Sequence, residues 1–390
     1  MKFPWSKTTG GISRFRIPGK KPSRPFSATG KDFGETQNVQ QMWDLSEKDA
    51  YVRHHHRRSV PHFVLPALVF LLLGGMLFWF LPGIVSHYFG AADDTPQEVT
   101  TPVTLYPAST RVVIVYAANL LSEPDIQSAR IAQVLYNEPV TLLESGSTEE
   151  FAHIKTEDNM EGYIKSSSLT DNLDSVEPNL HIFKLIVSDV SKNVMSHASN
   201  GTLLIEVMMN TVLYADVKSE GVYQVTLPGG EQGWISSNGV IELGLEDPAE
   251  KVGVRYFVSS VLSFVNMTQL DHGLTMRGLS VEGLAYISAA VNGVTLPRTM
   301  EGQIAMGERV DLTYDVVTGI LNVTSISPGD LVFFRDPNDP SSAAPYEMGI
   351  CTDTGSLIMT SKSRTTLRLI TLTEDEVLEG RIIAVRRIFT

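Results

Sequence analysis

The chain has 390 residues, of which 43% are hydrophobic, and it carries 31 Lys and Arg against 44 Asp and Glu, for a formal net charge of −13. This length allows about two or three domains that each bury a core. The acidic balance argues against nucleic acid as a partner, because phosphate binding requires a basic surface. With one Cys, the chain cannot form an internal disulfide bond.

The charge is divided unevenly along the chain. Residues 1–60 hold 12 Lys and Arg against 5 Asp and Glu, whereas the remaining residues hold 19 against 39. The first 60 residues are also rich in Gly, Pro and Ser, a composition typical of a disordered segment. We therefore predict that residues 1–60 form a basic, mostly disordered tail.

An uncharged apolar run from Phe63 to Phe89 follows this tail. About 20 apolar residues are enough to cross a bilayer as a helix, and the basic cluster at residues 53–58 fits a cytoplasmic N-terminus. A cleaved signal peptide is the alternative, but its apolar core would have only about 7–15 residues. We predict a single transmembrane helix over residues 61–90, with the acidic body on the outer side of the membrane.

Short runs rich in β-branched and aromatic residues follow a linker over residues 91–107, and they are bounded by Asn, Pro, Gly and Ser. Such runs predict the strands of small β-barrels. They form an internal repeat. Asn119-Leu-Leu-Ser recurs as Asn193-Val-Met-Ser, and Gly162-Tyr-Ile recurs as Gly233-Trp-Ile.

The paired motifs resemble those of bacterial SH3-like domains of envelope proteins. The resemblance implies two such domains, over residues 108–175 and 178–244. Domains of this kind are binding or spacing modules, often for cell-wall peptides, and the resemblance by itself identifies no ligand.

From residue 247 onward the pattern changes to mixed helices and strands. Apolar residues at helical spacing predict one helix within residues 250–264 and another that begins near Val281. Two longer motifs follow, Leu296-Pro-Arg-Thr with Gln303, and Ser327-Pro-Gly-Asp-Leu-Val-Phe-Phe.

These motifs resemble NlpC-type cell-wall peptidases, a compact branch of the papain-like cysteine peptidases. The resemblance implies an α+β domain over residues 247–390. The predicted architecture is therefore α+β, with a single transmembrane helix, two small SH3-like β-barrels and a papain-like NlpC-type domain.

The resemblance also implies where the catalytic residues belong. Val281 stands at the position of the nucleophilic Cys, Glu347 at that of the His, and Met359 near that of the residue that orients the His. A cysteine peptidase needs a thiolate and a His that takes its proton, so these three positions predict no catalytic residue. The sequence of this domain contains one Cys and one His, Cys351 and His272. We expect Cys351 to lie inside a core strand, where it would not pair with His272.

Polar residues nevertheless fall at the predicted groove. Gln269, Asp271, Ser280, Glu282 and Glu347 are the candidate binding residues of a degenerate groove. The chain has no metal-binding spacing of the H-E-x-x-H type, so we expect neither a metal nor another cofactor.

Together these features favour a non-catalytic pseudoenzyme, a scaffold or binding component of a cell-envelope assembly. We expect it in the bacterial cytoplasmic (inner) membrane, with the N-terminus in the cytoplasm and the body in the periplasm. An envelope protein is the favoured partner and peptidoglycan the lesser one, with the oligomeric state left open. The alternative is an active peptidoglycan γ-D-glutamyl-diamino-acid endopeptidase with a displaced catalytic site.

Overall fold

A computed structural model describes Leu71 and residues 105–360, 365–372 and 380–389. The predicted tail (1–60), the predicted transmembrane helix apart from Leu71, and most of the predicted linker lie outside these residues. Among the residues described, no helix is both long and apolar enough to span a membrane. Residues 96–390 form one compact unit.

Two antiparallel seven-stranded sheets occupy residues 110–243. The first sheet consists of β1 (Thr110–Val113), β2 (Ala117–Leu121), β3 (Arg130–Leu135), β4 (Pro139–Leu142), β5 (Phe151–Lys155), β6 (Glu161–Lys165) and β7 (Leu169–Thr170). The second sheet consists of β8 (Phe183–Val187), β9 (Ser191–Met195), β10 (Leu203–Met208), β11 (Val212–Ser219), β12 (Val222–Thr226), β13 (Gln232–Ser236) and β14 (Val240–Leu243).

The two sheets have the same strand order. It is β3-β2-β6-β5-β4-β1-β7 in the first sheet and β10-β9-β13-β12-β11-β8-β14 in the second. Strand β2 therefore corresponds to β9, and β6 to β13. The two copies of each repeated sequence motif lie on these corresponding strands.

The glycine of the second motif lies where two strands approach closely. A Cβ added to Gly162 would lie 2.7 Å from the carbonyl oxygen of Leu121, and one added to Gly233 would lie 2.4 Å from Cγ1 of Val194. Both contacts are shorter than a side chain tolerates, so glycine is required. The contacted residues belong to β2 and β9, the strands that carry the asparagine motif. The repeat therefore reflects a packing requirement shared by both sheets.

The described residues of the C-terminal domain (254–360, 365–372 and 380–389) contain three helices and a second type of sheet. Its helices are α1 (Val254–Leu262), α2 (Val281–Val291) and α3 (Met300–Gln303), and a small hairpin pairs β15 (Leu274–Thr275) with β16 (Gly278–Leu279). A six-stranded antiparallel sheet contains β17 (Glu308–Arg309), β18 (Asp330–Phe334), β19 (Glu347–Asp353), β20 (Ser356–Thr360), β21 (Leu367–Thr371) and β22 (Ile382–Arg387), in the order β17-β22-β18-β19-β20-β21.

The helix predicted to begin near Val281 does begin there. The earlier predicted helix is shorter than residues 250–264, because Gly253 is extended and α1 starts only after it. Short 3₁₀ turns at Ser166–Ser168, Pro178–Leu180 and Val323–Ser325 complete the described elements. The described residues are thus mostly β with few helices.

The six-stranded sheet buries both of its faces. Phe333 and Ile350 pack with α2 on one face, whereas Phe334, Cys351 and Met359 pack into a separate cluster on the other. Side chains alternate between the two faces along a strand. Successive residues of β18 and β19 therefore pack into different clusters. This places Cys351 away from the face that carries α2.

Arg298 joins the C-terminal domain to the first sheet. Its Nε donates to Oδ2 of Asp158 at 3.0 Å, its Nη1 donates to the carbonyl oxygen of Gln133 at 2.8 Å, and its Nη2 pairs with Oε1 of Glu138. Its Cζ lies 4.9 Å from the ring centroid of Tyr286, on α2. The arginine of the Leu-Pro-Arg-Thr motif is therefore an interdomain contact.

Candidate functional site

A cavity of about 190 Å³ lies at the N-terminus of α2. Its walls are Gln269, Asp271, His272, Ser280, Val281, Glu282, Met300, Tyr346, Glu347, Met348 and Thr360. The structure thus brings together the five candidate binding residues and Val281. Met359 does not line this cleft cavity, and its neighbour Thr360 does.

The start of α2 supplies three of these residues. Oγ of Ser280 accepts a hydrogen bond from the backbone N–H of Gly283 at 3.1 Å, so Ser280 is the N-cap of the helix. Ser280 is 2% exposed and Val281 is 3% exposed. Glu282 lies in the first turn, where the helix dipole favours a carboxylate. The Ser280 hydroxyl therefore caps α2, and the Val281 side chain is packed in the core.

His272 faces Glu282 across the cleft. Its Nδ1 lies 3.4 Å from Oε1 of Glu282, an ion-pair separation slightly beyond the usual hydrogen-bond range. The interaction with the Glu282 carboxylate raises the pKa of His272 against the opposing effect of burial, and the charges of Asp271 and Glu301 add to it. This pair has the composition of a general base and the group that orients it.

The backbone of His272 is in the left-handed region, with φ at +57°. A residue with a Cβ pays a steric cost there that glycine does not pay. Such strained residues cluster at functional sites, so the conformation of His272 marks it as a candidate.

The first sheet holds the loop that carries His272. Arg130 donates from Nε and Nη2 to the carbonyl oxygen of Asp271, at 3.0 and 2.7 Å. Oε1 of Gln133 accepts from the backbone N–H of Leu274 at 2.8 Å. Both Arg130 and Gln133 belong to β3. Hydrogen bonds from β3 therefore fix the loop on both sides of His272.

Glu347 and Cys351 lie on β19 and have separate surroundings. Oε2 of Glu347 accepts from Nη2 of Arg381 at 2.9 Å, and Arg381 also donates to the carbonyl oxygen of Arg335. Cys351 is fully buried, donates from Sγ to the carbonyl oxygen of Asp353 at 3.2 Å, and does not line the cleft cavity. Burial raises the pKa of the Cys351 thiol to about 12, so it is not a thiolate near neutral pH.

His272 is the residue of this cleft that the sequence motifs do not identify. Sequence alone offers it only as a partner for Cys351, and the structure pairs it with Glu282 instead. The available signal was its position three residues after Gln269 in the loop before α2, which is too short a pattern to stand out. Within the described ranges, no group of three or more His, Cys, Asp or Glu side chains is arranged to hold a metal ion.

Comparison with known proteins gives similarities of three kinds. The family described as bacterial SH3 domain matches residues 117–170. Dipeptidyl-peptidase 6 of Lysinibacillus sphaericus is 25% identical over 235 residues, which cover 57% of this chain and 80% of that protein. The crystal structure of an NlpC/P60 family protein from Bacillus cereus ATCC 10987 superimposes with a TM-score of 0.62 at 16% sequence identity, covering 72% of this chain and 100% of that one.

These similarities correct the prediction that the chain is not an enzyme. The proteins it resembles point to a peptidase family. That prediction rested on Val281, Glu347 and Met359 and on the burial expected for Cys351, and it did not consider His272 together with Glu282, which lie in one cleft. The chain contains a bacterial SH3 domain, and its described body has the fold of an NlpC/P60 family protein.

Proposed function

We propose that this chain is a cell-wall hydrolase that cleaves peptides of peptidoglycan at a displaced site around His272. The observation that carries the proposal is the His272–Glu282 pair in a cavity at the N-terminus of α2. The NlpC/P60 fold and the relative named as a dipeptidyl-peptidase support hydrolysis of a peptide, and the bacterial SH3 domain supports a substrate from the cell wall.

The nucleophile in this proposal is water. Val281 carries no nucleophilic atom, the hydroxyl of Ser280 caps α2, and the thiol of Cys351 is buried in the core. The Glu282 carboxylate lies beside Nδ1 of His272 at 3.4 Å, which leaves Nε2 as the ring nitrogen for proton exchange. This division of roles matches the base and orienting carboxylate of other hydrolases.

Two proton transfers complete the reaction. Nε2 of His272 takes a proton from water as the water oxygen bonds to the carbonyl carbon of the scissile amide. The resulting tetrahedral oxyanion is stabilised by the positive end of the α2 dipole, which lies at the cavity. The imidazolium then gives its proton to the amide nitrogen as the C–N bond breaks, releasing an amine and a carboxylic acid.

The location and partners form part of the same proposal. We propose that residues 61–90 anchor the chain in the bacterial cytoplasmic membrane and that the acidic body faces the cell wall. Peptidoglycan then replaces an envelope protein as the favoured partner, because the bacterial SH3 domain suggests binding to the cell wall. A membrane anchor would confine hydrolysis to wall close to the membrane.

The test is release of peptides from peptidoglycan fragments by the purified full-length chain. Liquid chromatography with mass spectrometry should find new fragments whose summed mass exceeds that of the parent by one water. Boiled protein serves as the blank. Saturable binding of the fragments with no product after extended incubation would sink the hydrolysis proposal while leaving recognition of the wall intact.

The pH dependence gives a second test. A general base acts in its neutral form, so kcat/KM should rise with pH through the pKa of His272, which the Glu282 carboxylate raises. In Glu282→Gln this charge is gone, and the acidic limb of the profile should move to lower pH. Glu301→Gln, whose charge makes the smallest of the contributions, should move it less. A limb that stays in place in Glu282→Gln contradicts the assignment.

A further inference from the structure

A second cavity, of about 410 Å³, lies where both sheets meet the C-terminal domain. Its walls include Glu138 and Glu157 from loops between strands of the first sheet, Val212 from the second sheet, and Tyr286 from α2. It shares no lining residue with the cleft cavity. Its volume is typical of sites for small molecules. This junction cavity is therefore separate from the proposed hydrolytic site.

The charge of the junction cavity is negative. Glu138, Glu157, Asp158 and Arg298 line it. Arg298 forms ion pairs with Glu138 and Asp158, and these leave Glu157 without an ion pair to any residue that the structure describes. Glu157 is exposed at the wall of the cavity. One carboxylate is thus available to a ligand.

Asn137 adds a buried hydrogen-bond acceptor to the same wall. It is 2% exposed, and its Nδ2 donates to the carbonyl oxygens of Ser175 and Val212 at 3.2 and 2.9 Å. Its Oδ1 is buried and has no partner among the residues described. A buried acceptor without a donor is costly. A carboxylate and an unpartnered amide oxygen among the lining residues of one cavity favour a positively charged donor.

The remaining lining residues of the junction cavity indicate which uncharged part a ligand would have. Leu135, Ala290 and Leu296 present aliphatic surface, and Tyr286 presents a ring. A guanidinium is already present in Arg298, and the described residues offer no cluster of ligands for a metal ion. A cation with an aliphatic stem satisfies both kinds of wall.

We propose that the junction cavity binds an aliphatic primary amine. Its ammonium group donates to Oδ1 of Asn137 and to the carboxylate of Glu157, and its alkyl chain lies along Leu135, Tyr286 and Leu296. Although the side chain is exposed to solvent, desolvation of its carboxylate and the neighbouring Glu138 charge raise the pKa of Glu157 against the opposing charges of Arg298 and Lys184. Binding should consequently strengthen as pH rises and Glu157 loses its proton.

Calorimetric titration of the full-length chain at low ionic strength tests this proposal. The probes are 1,5-diaminopentane and L-lysine, and tetramethylammonium is the cation without N–H donors. Saturable binding of at least one primary amine is expected. Glu157→Gln should weaken it about ten-fold or more, because a charge-assisted hydrogen bond is lost. Glu150→Gln, an exposed residue outside the cavity, should leave the affinity unchanged.

The outcomes separate the proposal from general attraction to an acidic protein. Binding of tetramethylammonium as tight as that of the amines overturns it, as does an affinity that is the same in Glu157→Gln. Preference for 1,5-diaminopentane supports a free diamine, and preference for L-lysine supports a diamino acid. Amine-induced protection against thermal unfolding, lost in Glu157→Gln but kept in Glu150→Gln, provides an independent readout in the same variants.

Discussion

Replacing Arg298 by Met is expected to lower the free energy of unfolding by about 3–5 kcal/mol, the usual cost of removing one partner from a buried ion pair. The Arg298 side chain is 4% exposed, and its partners Glu138 and Asp158 are 18% and 23% exposed. Methionine keeps much of the apolar length of the side chain. The loss therefore comes from two carboxylates left close together in a poorly hydrated junction without their cation.

Arg309→Met is the matched control. Arg309 is 80% exposed and pairs at 3.4 Å with Asp311, which is 89% exposed, and such surface pairs contribute about 0–1 kcal/mol. Urea unfolding followed by circular dichroism gives both values. If the two variants lose the same stability, the junction does not depend on Arg298. The double variant Arg298→Met with Glu138→Gln should recover part of the loss, because it also removes one unpaired charge.

Arg298 also shows what sequence could predict about this fold. The Leu-Pro-Arg-Thr motif was recognisable because it recurs in a known pattern. Its contact with Glu138 was not, since the two residues are 160 positions apart and no local pattern connects them. The repeated glycine motif was predictable because it depends on contacts within one sheet and occurs in two copies. Gly162 and Gly233 meet strands of their own sheets, so the same requirement left the same residues in both copies.

The residues of the cleft also differ in whether the sequence could predict their positions. Ser280, Glu282 and Asp271 could be placed at one groove because they occupy aligned positions beside the start of a predicted helix, and the structure places them around one cavity. The role of His272 could not be predicted, because it depends on a left-handed backbone and on a neighbour across the cleft. Counting missing family residues therefore led to the prediction of a pseudoenzyme, whereas the proposal of a relocated acid–base pair depends on the position of His272 beside Glu282.

The proposed acid–base pair predicts a large loss of activity when His272 is replaced. In the peptide-release assay, His272→Ala should lower kcat/KM by roughly 100- to 10,000-fold, the usual contribution of a general acid–base group. Added imidazole should restore part of the activity, because the cavity left by the side chain opens beside Glu282. A purely structural role for His272 would not give this rescue.

Two further variants identify which group acts. His153→Ala removes a histidine of the first sheet that stacks on Tyr163 at 4.6 Å between ring centroids and lies outside the cleft cavity, so activity should persist. Cys351→Ala removes the thiol, and activity should again persist, because that thiol is buried on the face of the sheet opposite α2. If Cys351→Ala abolishes release in a folded protein while His272→Ala does not, the nucleophile is the thiol and the water mechanism is wrong. The two substitutions therefore decide between a relocated base and a rearranged cysteine site.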